Sequence, residues 1–137
     1  MRLEKGIGIW NAEFTQAYTP AMTGLDRWIA WDKGDFIGKA AAQSAPEPDR
    51  VLTMLEVDAD NADASGFEPV WQGDKLVGMT TSGGFGHRIG KSLALALVDR
   101  ELAEPGNDLA IHVVGEKRSA KTIEMSPYDP DGSRRRA

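Results

Sequence analysis

The chain has 137 residues, 41% apolar and 27% charged, which is enough to pack one ordinary domain. Its 16 basic and 21 acidic residues give a formal net charge of −5, which argues against a nucleic-acid-binding surface built on a basic field. The lack of cysteine excludes disulfides, thiolate metal sites and cysteine nucleophiles, and two histidines, His87 and His112, supply little for a zinc centre. No apolar run approaches the roughly 20 residues that span a bilayer. The start, Met1-Arg-Leu-Glu-Lys-Gly6, lacks the apolar stretch of a signal peptide, so a cytoplasmic protein is expected.

The first 45 residues differ from the rest, holding three of the four tryptophans and no clean period. Leu25-Asp-Arg-Trp-Ile-Ala-Trp31 alternates as a strand would, and Asp35 is placed to cap a short helix from Phe36 to about Ser44. Ala45-Pro-Glu-Pro-Asp-Arg50 breaks that helix and reads as a linker. Beyond it the signals are β. Val51–Val57 alternates, and Asp58–Ser65 reads as an acidic loop. Glu68–Trp71 and Lys75–Thr80 flank Gly73-Asp74, a type II′ hairpin signal. Leu93–Val98 alternates large and small side chains, and Pro105-Gly106 marks a turn. Leu109–Val114 is expected to turn at Gly115-Glu116 into a last strand from Arg118 to Met125. Five or six short strands with glycine-rich turns predict a small barrel or sandwich. Ser126–Ala137 is polar and expected to be extended.

Several segments invite chemistry that their details do not support. Gly90-Lys-Ser92 ends like a phosphate-binding loop, but the required first glycine falls on Phe85 and a strand follows where that motif needs a helix. Gly83-Gly-Phe-Gly86 reads instead as a tight loop between two strands. Asp58, Asp60 and Asp63 resemble part of a calcium loop that lacks its central glycine and closing glutamate. His112 is out of phase with Leu109, Ile111 and Val113 and is expected at the surface. His87 lies beside Arg88 in the glycine-rich segment, where an anion contact or an ordinary loop hydrogen bond are both open. Trp28 and Trp31 wall a pocket or fill a core or interface. Arg134-Arg-Arg136 is a basic cluster that suits a phosphate or a polyglutamate tail, or an unstructured end.

The order of segments is more informative. Arg2-Leu-Glu-Lys-Gly6, Tyr18-Thr-Pro20, Gly24-Leu25 and Asp32-Lys-Gly-Asp-Phe-Ile-Gly-Lys39 resemble the end of the folate-binding region of aminomethyltransferases, the T-proteins of the glycine cleavage system. Val77–His87, Gly90–Ala96, Pro105-Gly106 and Gly115-Glu116 resemble the C-terminal barrel of the same family. The Phe-Gly-His-Arg-Ile-Gly-Lys-Ser run and the Pro127-Tyr-Asp-Pro130 tail look closest to the dimethylglycine and sarcosine dehydrogenase branch. The resemblance implies a mainly β fold. Residues 1–46 would be the incomplete end of the folate-binding domain, a short α+β arm. Residues 47–128 would be an about six-stranded barrel, and 129–137 a polar tail.

By the same resemblance the chemistry is one-carbon transfer to tetrahydrofolate, with no metal and no flavin in this chain. The family's catalytic Asp segment has no counterpart here, so the chain is expected to be inactive alone. Tetrahydrofolate would bind only when a partner chain supplies the N-terminal half. Self-association through the tryptophan-rich arm is the other expected partnership, and neither nucleic acid nor membrane is expected. Two residues carry over to the cofactor site: Arg2, whose guanidinium suits a carboxylate, and Tyr128, in the tail that returns toward the folate. The residues by themselves leave two further readings: a non-catalytic barrel for interaction or assembly, and a small enzyme acting through His87.

Overall fold

A computed structural model describes residues 2–135. Six strands close into an antiparallel barrel: β1 (Arg50–Val57), β2 (Pro69–Gln72), β3 (Lys75–Gly86), β4 (Lys91–Asp99), β5 (Asp108–Val113) and β6 (Glu116–Ile123). Their order around the barrel is β1-β4-β3-β2-β5-β6, and β6 pairs back onto β1 with Met54 opposite Ile123. Closure leaves no free strand edge.

Alternation decides what faces inward. In β4 the small residues Ala94 and Ala96, with Val98, join Leu55, Val70, Val77 and Ile111 in the interior. The large residues of the same strand, Leu93 and Leu95, point the other way. They are buried too, because Met54 and Leu3 cover them from outside. The large–small alternation of Leu93–Val98 is therefore a strand buried on both faces, with the small side chains turned into the narrow interior. Leu3 belongs to the N-terminal arm, and a leucine fully buried there contributes about 2 kcal/mol.

The described part of the arm carries short helices and 3-10 turns with one isolated bridge between Trp10 and Phe14, and no strand. Leu25–Trp31 does not form a strand: Asp26–Trp28 is one 3-10 turn, closed by Trp28 N–H to the Leu25 carbonyl at 3.0 Å and followed by Ile29 N–H to Asp26 at 3.0 Å. Alternation alone does not hold a strand that has no neighbour to pair with. Helix α1 (Pro20–Thr23) is capped by Thr19, whose hydroxyl accepts from the Met22 N–H at 3.3 Å. Helix α2 spans Lys39–Ser44, and its N-cap is Gly38 rather than Asp35. No residue from Phe14 to Leu52 is buried.

The glycine-rich segment also departs from expectation. Gly83–Gly86 is the end of β3, paired with Ala94–Lys91 of β4, and the reversal falls on residues 87–90. The hairpin at Gly73-Asp74 is as expected, with Gln72 opposite Lys75 and a positive φ at Gly73 but not at Asp74, as a type II′ turn requires. The last hairpin turns one residue earlier than expected, at Val114-Gly115, with φ of 49° and 82°. Two left-handed residues make a type I′ turn, for which a β-branched residue is poorly suited. Val114 is 81% exposed, so no packing repays the strain. Val114→Asn is expected to stabilise the protein by about 1 kcal/mol, read as a higher urea midpoint at unchanged slope. An unchanged midpoint would contradict the strain.

Candidate functional site

The arm and the C-terminal tail meet on the outside of the barrel, where both residues expected at a cofactor site reside. Leu3–Lys5 forms a 3-10 turn that ends at Gly6, held at φ 63°. Gly6 is required there, since a Cβ would approach the Met125 carbonyl oxygen to 2.1 Å. The Tyr128 N–H donates to the Glu4 carbonyl at 3.0 Å, and Lys5 Nζ donates to the Asp129 backbone carbonyl beside an ion pair with its carboxylate at 3.7 Å. The arm's first turn is thus bound to the tail that follows β6.

Two buried carboxylates bind the same arm to the barrel. Glu4 is 1% exposed. Its Oε1 accepts the Arg88 N–H at 2.6 Å and the Ile89 N–H at 3.3 Å, at the reversal between β3 and β4. Burial pushes the Glu4 carboxyl up, but these amide donors favour the ionised form and the net direction is below the ordinary value. Glu13 is fully buried. Its Oε1 accepts from the Thr81 hydroxyl at 2.6 Å and the Ser82 hydroxyl at 2.5 Å, and its Oε2 accepts the Ile9 N–H at 2.8 Å. Burial again opposes ionisation, but the Ser82 and Thr81 hydroxyls, the Ile9 amide and the Arg2 charge together hold the carboxyl below its ordinary value.

Adjacent residues of a regular strand point to opposite faces. Thr81 and Ser82 nonetheless reach one oxygen because the β3–β4 register slips between Thr80 and Ser82, leaving Thr81 as a bulge. Glu13 was not legible as a site residue. Its partners lie 68 and 69 positions away, and the one local signal was a carboxylate set among Ile9, Trp10 and Phe14.

Arg2 is part of this junction. Its Nη1 donates to the Ile7 carbonyl at 3.1 Å and lies 3.8 Å from Glu13 Oε2. The guanidinium keeps two nitrogens, Nε and Nη2, whose N–H donors point to no acceptor among the described residues. Tyr128 is half-buried, with the Arg134 guanidinium 5.5 Å from its ring centre. The structure brings the segments of Arg2 and Tyr128 together through Glu4 and Lys5, with no direct contact between the two side chains.

The other sequence candidates are separate from this junction. Trp28 is 76% exposed under Arg27, and Trp10 is 73% exposed. His87 is exposed with its ring edge-on to Phe85, and half-buried His112 meets Trp71 edge-on at 5.7 Å. Asp63 accepts from Ser92, Asp60 lies near Arg118, and no acidic or histidine cluster suited to a metal occurs among the described residues. Arg136 lies outside the described residues, and so does the side chain of Arg135.

The closed six-stranded antiparallel barrel defines the class of domain, a small all-β barrel. Residues 50–129 match the family model described as the glycine cleavage T-protein C-terminal barrel domain, and the chain belongs to that family. It is 37% identical over 127 residues to the mitochondrial dimethylglycine dehydrogenase of Rattus norvegicus, covering 90% of this chain and 15% of that protein. It is 33% identical over 131 residues to an aminomethyltransferase of Saccharopolyspora erythraea, covering 93% of this chain and 36% of that one. The fold is similar to a crystal structure of the glycine cleavage system aminomethyltransferase T from Bartonella henselae, with a TM-score of 0.85 at 21% identity, covering 94% of this chain and 37% of that one. The chain thus spans little more than a third, or less, of each of these proteins.

Proposed function

We propose that this chain is the C-terminal part of a folate-dependent aminomethyltransferase-like protein, which passes a one-carbon unit to tetrahydrofolate to form 5,10-methylenetetrahydrofolate. The observation that carries this reading is the position of the exposed apolar side chains. Among the described residues, six of the ten exposed large apolar side chains, Ile7, Ile9, Trp10, Trp28, Trp31 and Ile37, lie on the arm, and the other four are spread over the barrel. An arm with buried polar anchors and this density of uncovered apolar side chains is suited to pack against further polypeptide. The family membership makes the N-terminal aminomethyltransferase half the fitting cover, with residues 1–46 as the end of that half and 47–128 as the barrel.

In this reading Arg2 takes a carboxylate of the folate through its remaining donors, and Tyr128 offers a ring and a phenol from the tail. In the same reading the chain alone is inactive. No helix among the described residues is long and apolar enough to cross a membrane. A cytoplasmic location is part of the proposal, the mitochondrial one being a property of the dimethylglycine dehydrogenases.

Calorimetric titration with tetrahydrofolate tests the reading. The chain alone is expected to give no saturable heat, and its mixture with a separately produced N-terminal aminomethyltransferase half is expected to bind. Absence of binding in the mixture would refute the folate site and favour a non-catalytic assembly barrel, a role consistent with the closed sheet.

A further inference from the structure

We infer that Glu13 is a positioning residue for Arg2, and that the bulge of β3 sets Glu13. The inference rests on the assignment of Arg2 as a carboxylate anchor. An arginine fixes a carboxylate well only when its planar fork is already aligned, since each side-chain rotor that must be frozen weakens binding. Arg2 has two restraints, both on Nη1: the Ile7 carbonyl and Glu13 Oε2. Ile7 itself is exposed on the arm. Glu13 is the restraint tied to the rigid barrel.

The tie runs through named atoms. The slipped register at Thr81 turns two neighbouring hydroxyls to one side of β3. Both donate to Glu13 Oε1, which orients the carboxyl plane and directs Oε2 to the Ile9 N–H and the Arg2 guanidinium. The single Thr81 proton is shared between Glu13 Oε1 at 2.6 Å and the Leu95 carbonyl of β4 at 3.1 Å, with the shorter contact to Glu13. Among the described residues within hydrogen-bond or ion-pair distance of Glu13, Arg2 is the charged one, beside two hydroxyls and an amide. The barrel thereby contributes to ligand recognition without touching the ligand: it holds the carboxylate that holds the arginine.

Charge and positioning predict opposite signs, which makes the inference testable. Glu13 partly neutralises Arg2, so its removal would by charge alone tighten binding of an anion. Loss of alignment weakens it. The experiment uses the chain mixed with the N-terminal half and two probes, tetrahydrofolate and 6-methyltetrahydropterin, which carries no carboxylate. Glu13→Gln is expected to weaken tetrahydrofolate about threefold, the worth of a part-exposed ion pair at 3.8 Å, and to leave 6-methyltetrahydropterin unchanged. Glu13→Asp, which keeps the charge but withdraws it, and Thr81→Val with Ser82→Ala, which free Glu13, are expected to act in the same direction.

A general loss of fold would weaken both probes equally and would refute the inference, as would unchanged or tighter binding of tetrahydrofolate. Arg2→Ala separates the two levels. If it leaves tetrahydrofolate binding intact, the assignment of Arg2 fails. If it weakens binding and the Glu13 variants do not, the positioning role fails while Arg2 stands.

Discussion

Replacing Gly83 by valine is expected to prevent folding, and replacing it by alanine to cost about 3 kcal/mol or more. Gly83 is paired with Ala94 inside the β3–β4 ladder, and the segment that leads into β2 passes directly over it. A Cβ at this position would lie 2.1 Å from the Ala64 carbonyl oxygen and 2.7 Å from its carbon. Those atoms are backbone and cannot rotate away. The crossing segment is itself held, by Asp63 to the Ser92 hydroxyl at 2.7 Å and by the Ser65 carbonyl to the Thr80 hydroxyl at 2.6 Å. Relief must therefore come from displacing a strand. Gly34→Ala is the control, because a Cβ there meets nothing within 4 Å and the backbone is not left-handed. Urea unfolding followed by circular dichroism checks both. A Gly83→Ala midpoint within about 1 kcal/mol of the parent would contradict the close approach.

The second large effect is expected at Glu13. Glu13→Ala leaves the Ser82 hydroxyl and the Ile9 N–H without their acceptor in a buried place, while the Thr81 hydroxyl keeps the Leu95 carbonyl. A loss of about 3 kcal/mol follows from two orphaned donors and a vacated carboxylate site. A lowered urea midpoint followed by far-ultraviolet circular dichroism checks it. The pH dependence has a definite sign. The folded-state pKa lies below the ordinary 4.5 for both Glu13 and Glu4, so their stabilisation is complete above 4.5 and is lost as the pH falls through the lowered values. Stability measured from neutral pH downward should hold until about pH 5 and then fall, with a shallower fall in Glu13→Gln. Equal slopes for the two proteins would show that Glu13 does not carry the acid sensitivity.

Legibility in the sequence followed the range of the interaction responsible. β1, β4 and β5 were readable because alternation is local, and the Gly73-Asp74 hairpin because two adjacent residues determine it. Gly83–Gly86 reads as a loop because three glycines in four residues look like a break. The missing side chain at Gly83 is what lets the strand continue beneath residue 64. Leu25–Trp31 showed the converse error, a strand pattern on a segment with no pairing partner. The family-matched blocks singled out the segments of Arg2 and Tyr128, which meet through Glu4 and Lys5, but Glu13 and its hydroxyl partners converge only through a one-residue slip in register. No spacing rule along the chain encodes that slip.

The pairing of β6 with β1 has a consequence for how the barrel is carried by a polypeptide. Because Met54 faces Ile123 across antiparallel neighbours, the chain enters at Arg50 and leaves after Ile123 on the same rim. Entry and exit on one rim make the barrel a unit whose two covalent connections lie together. A longer chain can hold it at its end or interrupt itself to include it, with the arm's buried contacts as the remaining attachment. The same nearness permits circular permutation: joining the two ends and reopening the chain in the Asp58–Ser65 segment would retain every ladder.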